Sequence, residues 1–388
     1  MSVSSIIDSS TGKILLPVIP DTGLVDQWSL DPAVSNVNFA GFNANNIGTA
    51  TATTVNASTT LTVGTLNVGT RLAFRSSYDI YVAPNGNNTT GTGSILNPFL
   101  TIGQALTFAG TLGAPASQAI SILLSAGVYA ENLTVGTNGI YISSLGDGTA
   151  DSPPQITGNI TVNITSVNAI EFGLSNISVV GSVSVATGGT EPSALFNFEQ
   201  CRITSSTAPC ITCINDLLTT TVYARSCILN QSGLFECVLM NGSILNIINS
   251  ELNCSTANTM LTLTGNSGFN MYNSILTNSM LINTLNPIIV FNQTVVGTPQ
   301  TLARIINSTL WYNSTTADIG GNKVPIRFTA GVVTGAVLVD VFLRNNGGTQ
   351  ALQNTGAGNV FATLGNVLAE GTATRAGAFT VALATAVV

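Results

Sequence analysis

The chain has 388 residues, and its 45% hydrophobic content is ample for a buried core. Only 7% of residues are charged, the net charge is −7 with 10 Lys plus Arg, and there is no His. Together these exclude a basic groove for a phosphate backbone, an imidazole general base and the commonest transition-metal ligand. A surface so poor in ions stays wet through Asn, Thr, Ser and Gly, as in extended extracellular and virion proteins. No run approaches about 18 uninterrupted apolar residues, so no membrane helix is expected.

Residues 1–77 read as an extended N-terminal attachment arm. The opening "MSVSSIIDSSTGKILLPVIPD" lacks a basic region followed by an apolar core and a small-residue cleavage site, so no secretion route is expected. An exterior-style composition without an exterior address fits a particle assembled in a host cytoplasm. Residues 36–70 are a low-complexity Asn/Thr/Val stretch with alternation at Leu61, Val63, Leu66 and Val68. Such a stretch serves either as a self-pairing extended chain or as a linker.

The segment "YDIYVAPNGNNTTGTGSILNPFLTIGQALTFAG", Tyr78 to Gly110, predicts a strand from Tyr78 to Ala83, a polar turn, an Asn-Pro-Phe corner and a short helix near 101–109. A repeat follows in "LFNFEQCRITSS", "TVYARSCILNQS", "ILNIINSELNCS" and "GFNMYNSILTNS", with weaker copies in "IIVFNQTVVGT" and "RIINSTLWYNS". Its marker residues Cys201, Cys227, Ser250 and Ser274 are spaced by 26, 23 and 24, preceded by Asn176. The later markers Gln293 and Ser308 follow after only 19 and 15 residues. This spacing predicts one turn of a three-sided coil of short parallel strands, with coils stacking at about 4.8 Å.

Period-2 spacing sends Phe196, Phe198, Val222, Ala224, Leu245, Ile247, Phe269 and Met271 into the core. At the bend, Asn249, Asn273, Asn292 and Asn307 predict a structural ladder, because Asn tolerates the left-handed corner and can bond to its copy one coil away. Glu199 and Arg225 occupy equivalent outward places on successive coils and predict a surface ion pair. The same column then turns apolar at Ile248, Tyr272, Phe291 and Ile306, which predicts an interface with another subunit or a covering segment of the same chain. All six cysteines lie between Cys201 and Cys254. With no second Cys-x-x-Cys beside Cys210 and Cys213, they are expected as reduced, packed thiols without a metal. Residues 321–388 carry alternating runs, "VLVDVFL" and "AFTVALATAVV", separated by Gly/Asn turns. They predict a small C-terminal antiparallel β-domain that caps the coils, trimerises them or binds a receptor such as a host cell-surface glycan.

The Tyr78–Ala109 stretch resembles the lead-in segment of right-handed parallel β-helix proteins of the pectate-lyase-like superfamily, and the region to about Asn313 follows that family by pattern. The resemblance implies an all-β solenoid over 78–320 whose short helix covers the open end of the core. Enzymes, adhesins and viral proteins share this motif. Its enzymes use carboxylate clusters: calcium with an Arg base, paired Asp residues, or Asp with Arg. No such cluster is visible, and residues 252 to 303 carry no charge. The least unsuitable catalytic set is Glu199, Arg202 and Arg225. The expectation is therefore a non-enzymatic virion structural protein without a cofactor, resembling minor capsid, spike or fibre proteins of large DNA viruses. Its expected partners are itself, with a homotrimer among the candidate assemblies, and other capsid proteins; neither nucleic acid nor a membrane is expected. The alternatives are a polysaccharide-active β-helix enzyme and a bacterial surface adhesin.

Overall fold

A computed structural model describes residues 78–112, 119–146, 153–164, 170–186, 193–214, 220–255, 259–265, 267–279, 287–292, 302–313, 325–329, 334–346, 350–354, 360–365, 367–370, 374–376 and 379–383, together with two short strands at the N-terminus. Those two, Ile6–Ile7 and Ile14–Leu15, pair antiparallel in a separate unit, Met1–Leu72. The arm's alternating residues Leu61 to Val68 lie outside the described residues.

From Tyr78 onward the described strands wind into a three-sided parallel β-helix. Its first face stacks Tyr78–Val82, Ile120–Leu124, Ile140–Ser144, Ile170–Ser175, Ala194–Glu199, Thr220–Arg225, Ser243–Ile248 and Gly268–Tyr272 in parallel register. Its second face carries, among others, Arg202–Ser205, Ile228–Gln231, Glu251–Cys254 and Ile275–Asn278. The third face is a sheet of 10 described strands that includes Ile211–Ile214, Val238–Asn241, Leu261–Thr264 and Ile289–Asn292. Alternation explains the packing: Phe196, Phe198, Val222, Ala224, Leu245, Ile247, Phe269 and Met271 are all buried, joined by Ile203, Leu229, Leu252 and Leu276 from the second face.

One end of this core is closed by the helix Ile102–Thr111, whose Ile102, Ala105 and Ala109 are buried. Thr101 caps it by accepting from the Gln104 amide at 3.2 Å. Glu131 reaches over from the coil beyond, and its carboxylate accepts from the Ile102 and Gly103 amides at 2.8 and 2.9 Å. Two otherwise orphaned helix donors thus meet a negative charge at the positive end of the helix dipole. The polar turn before the helix is held by Asn88, whose side-chain oxygen accepts from the Leu100 and Thr101 amides. Only glycine fits at Gly86, since a Cβ there would stand 2.3 Å from the Phe99 carbonyl oxygen.

The C-terminal strands differ from expectation. Ile326–Phe328, Thr334–Asn346, Gln350–Asn354, Val360–Gly365, Leu368–Glu370, Thr374–Ala376 and Phe379–Leu383 pair parallel with the coils before them, not antiparallel with one another. The solenoid therefore continues past 320. Period-2 alternation sets which side chains face inward but is blind to strand direction, so it reads the same in a coil as in a hairpin. Two strands, Leu302–Asn313 and Thr334–Asn346, run unbroken from the first face into the second, turning at Asn307 and Asp340 with φ of 48° and 51°.

Candidate functional site

The corner between the first and second faces is the most regular part of the molecule. Asn176, Gln200, Ser226, Asn249, Asn273, Asn307 and Asp340 all hold left-handed φ between 48° and 54°. Asn273 donates its side-chain amide to Asn249 Oδ1 at 3.2 Å, and Asn307 donates to Asn273 Oδ1 at 2.8 Å. Asn292 is not part of this ladder; it ends a third-face strand in register with Thr264.

One residue further on stands a second ladder, Cys201, Cys227, Ser250, Ser274 and Ser308, all buried. Ser250 Oγ donates to the Ile248 and Ala224 carbonyls at 2.8 and 3.0 Å and accepts from the Cys227 amide at 3.0 Å. Ser274 and Ser308 accept in the same way from Ser250 N and Ser274 N. The thiols of Cys201 and Cys227 donate to Leu174 and Phe198 carbonyls at 3.4 and 3.3 Å. The repeat marker is therefore a rung of hydrogen bonds that ties each corner to its neighbour.

The outward surface of the first face carries one long column: Ser143, Ser175, Glu199, Arg225, Ile248, Tyr272, Ile306 and Val339 are successive register partners. Its first half is polar and its second half apolar. Ile248, Tyr272 and Ile306 are half-buried. Phe291, expected in this stripe, is instead a core residue only 1% exposed, packed between Phe269 and Phe328 with centroids 6.1 and 5.1 Å away. The reason is chain length: the step from Ser274 to Ser308 is 34 residues, so the segment matched at the shorter period lies on the third face.

At the polar end of the column an open groove of about 190 Å³ is lined by Tyr141, Ser143, Gly173, Ser175, Asn197, Glu199 and Arg225. Gly173 lets the Tyr141 ring close over it, because a Cβ there would stand 2.5 Å from Tyr141 Cδ1. Tyr141 donates its hydroxyl to Glu171 Oε2 at 2.7 Å, and burial followed by that bond pushes its pKa up to about 12. Glu199 and Arg225 are register neighbours as expected, but in place of the expected ion pair the Arg225 guanidinium is taken by Asn197 Oδ1 at 3.1 Å and by the Tyr223 ring, 4.1 Å from its centroid. Arg202 opens the second face around the corner, so Glu199, Arg202 and Arg225 do not share one surface. Sequence reasoning missed Tyr141, Gly173, Asn197 and Tyr223; their shared outward parity on adjacent coils was the available signal.

Glu199 is the one carboxylate among the groove's lining residues, where acid–base cleavage of a glycosidic bond uses two. No group of three or more Cys, Asp or Glu suited to a metal occurs among the described residues. All six cysteines are buried free thiols. Among the described residues no helix is long and apolar enough to cross a membrane.

The architecture defines the chain as a parallel β-helix protein. No protein-family profile matches it, and no curated protein does. Solved structures with a similar course include the deglycosylated pectin methylesterase from Aspergillus niger, at 10% identity over 80% of this chain and 91% of the enzyme, TM-score 0.44. A second form of that enzyme, penultimately deglycosylated, gives 12% identity over 82% and 93%, TM-score 0.44. A mutant pectin methylesterase in complex with a hexasaccharide gives 13% over 76% and 90%, TM-score 0.37.

Proposed function

We propose that this chain is a non-catalytic structural protein that assembles through the apolar half of its first-face column, with itself or with neighbouring capsid proteins. The observation that carries this reading is the uninterrupted outward series Ile248, Tyr272, Ile306 and Val339, four coils deep, in a column whose other half is polar. The setting we infer is a minor capsid, spike or fibre component of a virion assembled in a host cytoplasm; it is supported by the low charge and the missing His. Light scattering tests the assembly: the purified chain should form a trimer or larger species, and Ile248→Asn with Ile306→Asn should dissociate it. A monodisperse wild-type monomer overturns the reading.

A second reading is favoured by the groove. Tyr141, Asn197, Glu199 and Arg225 offer a ring face, an amide, a carboxylate and a guanidinium in one open surface, the chemistry that recognises a polysaccharide. A panel of acidic and neutral polysaccharides, with and without calcium, separates the two. Turnover abolished by Glu199→Gln establishes the second and removes the first.

A further inference from the structure

Two pairs of thiols bridge the same two coils. Cys201 and Cys227 hold the same corner position, flanked in register by Glu199 with Arg225 on one side and by Arg202 with Ile228 on the other. Cys210 and Cys237 each stand one residue before the register partners Ile211 and Val238, and the Ile211 amide donates to the Cys237 carbonyl at 3.2 Å. In the coils that follow, the first corner carries Ser250, Ser274 and Ser308, and the Cys237 position passes to Met260 and Ile288, whose carbonyls accept from Val238 and Leu261. Packing accounts for a small residue at the first corner and an apolar one at the second. It does not account for sulfur doubled at both corners of one pair of coils.

The geometry fits a bond. Stacked strands lie about 4.7–4.9 Å apart, within the roughly 4.4–6.8 Å that separates the Cα atoms of a disulfide. The paired thiols perturb each other: Cys227 beside it, then burial, pushes the Cys201 thiol up, and Cys201 beside it pulls the Cys227 thiol down. Cys210 beside it, then burial, pushes the Cys237 thiol up. Of the remaining cysteines, Cys213 is in register with Met240, and Cys254 with Gln231 and Asn278.

We propose that Cys201 with Cys227 and Cys210 with Cys237 are coil-to-coil disulfide sites, closed as the chain folds in the presence of a small disulfide oxidant. In each pair one thiolate attacks a sulfur of the oxidant, such as oxidised glutathione, and expels one glutathione thiolate. The partner thiolate then attacks the mixed disulfide and expels the second. Two cysteine thiols give up two protons and two electrons to form one S–S bond, and the oxidant's S–S bond becomes two thiols. The four residues are 0–2% exposed in the closed solenoid, so the exchange belongs to the open chain. Once closed, the bonds are shielded from reductant.

The test is to refold the full chain from denaturant with oxidised and reduced glutathione, unfold it again in denaturant with N-ethylmaleimide so that every remaining thiol is blocked, and map the digest without reduction. The expected result is cross-linked peptides joining 201 to 227 and 210 to 237, with Cys213 and Cys254 alkylated. Oxidised protein should also melt higher than reduced protein, with part of the shift lost in Cys201→Ser, part in Cys210→Ser, and all of it lost in the double variant. Cooperatively folded protein with six alkylated cysteines overturns the proposal. So does any other pairing, such as Cys210 with Cys213, and so does a chain that folds only under reducing conditions.

Discussion

Phe291 stacks on Phe328 with ring centroids 5.1 Å apart and planes 13° from parallel, one coil above the other inside the third face. Because Phe291 is also edge-on to Phe269, it joins the first and third faces of its own coil to the coil that follows through aromatic contact. Phe291→Ala should therefore destabilise the solenoid by about 3–5 kcal/mol, the range for emptying a buried aromatic site. The outward Ile248→Asn should cost under about 1 kcal/mol in the dissociated chain. Denaturant unfolding of the two variants checks the contrast, and equal losses would place Phe291 on the surface after all.

Asn273 combines a left-handed corner with hydrogen bonds to Asn249 and Asn307. Asn273→Ala forfeits both and should lower stability by about 1–3 kcal/mol. Asn273→Gly keeps the backbone conformation free of strain and should lose less than the alanine variant. Comparing their thermal midpoints separates backbone strain from side-chain bonding.

Glu131 holds the first turn of the sealing helix from 28 and 29 residues away. Glu131→Gln keeps the shape but removes the charge, and should weaken the helix start by about 1 kcal/mol. Hydrogen exchange at the Ile102 and Gly103 amides should speed up while exchange in the central coils stays as it was.

Tyr141 makes a pH prediction. The folded chain holds the phenol proton more tightly than the unfolded chain, its pKa moving from 10.0 to about 12. The resulting stability is complete below pH 10 and is lost as pH rises through about 12. Tyr141→Phe should therefore show a smaller alkaline loss than the wild type, read as denaturant midpoints across that window. Identical alkaline profiles would mean that neither burial nor the bond to Glu171 holds the proton.

The coils from 194 to 279 were legible because each repeats its corner after 26, 23 or 24 residues with the same inward pattern. Legibility failed where the next coil lengthens. A search tuned to the shorter period slides onto Ile289–Asn292, and so Phe291 and Asn292 were given first-face roles that belong to the third. The direction of the C-terminal strands was hidden for a different reason: alternation around Asp340 specifies faces, while pairing partners are fixed by coils far away in sequence. The groove was illegible too, since Tyr141, Gly173 and Asn197 meet only through register, and a glycine says nothing of the ring that will lie on it.

The rung of Cys201, Cys227, Ser250, Ser274 and Ser308 also has a mechanical meaning. Its links follow one another along a single corner, beside the strand-to-strand backbone bonds of three faces that share any tension along the axis. Hydroxyls bond more firmly than thiols, so the softer links are those of Cys201 and Cys227, whose donors to the coil below are sulfur. A covalent bond between those two corners would remove the softest link of the column.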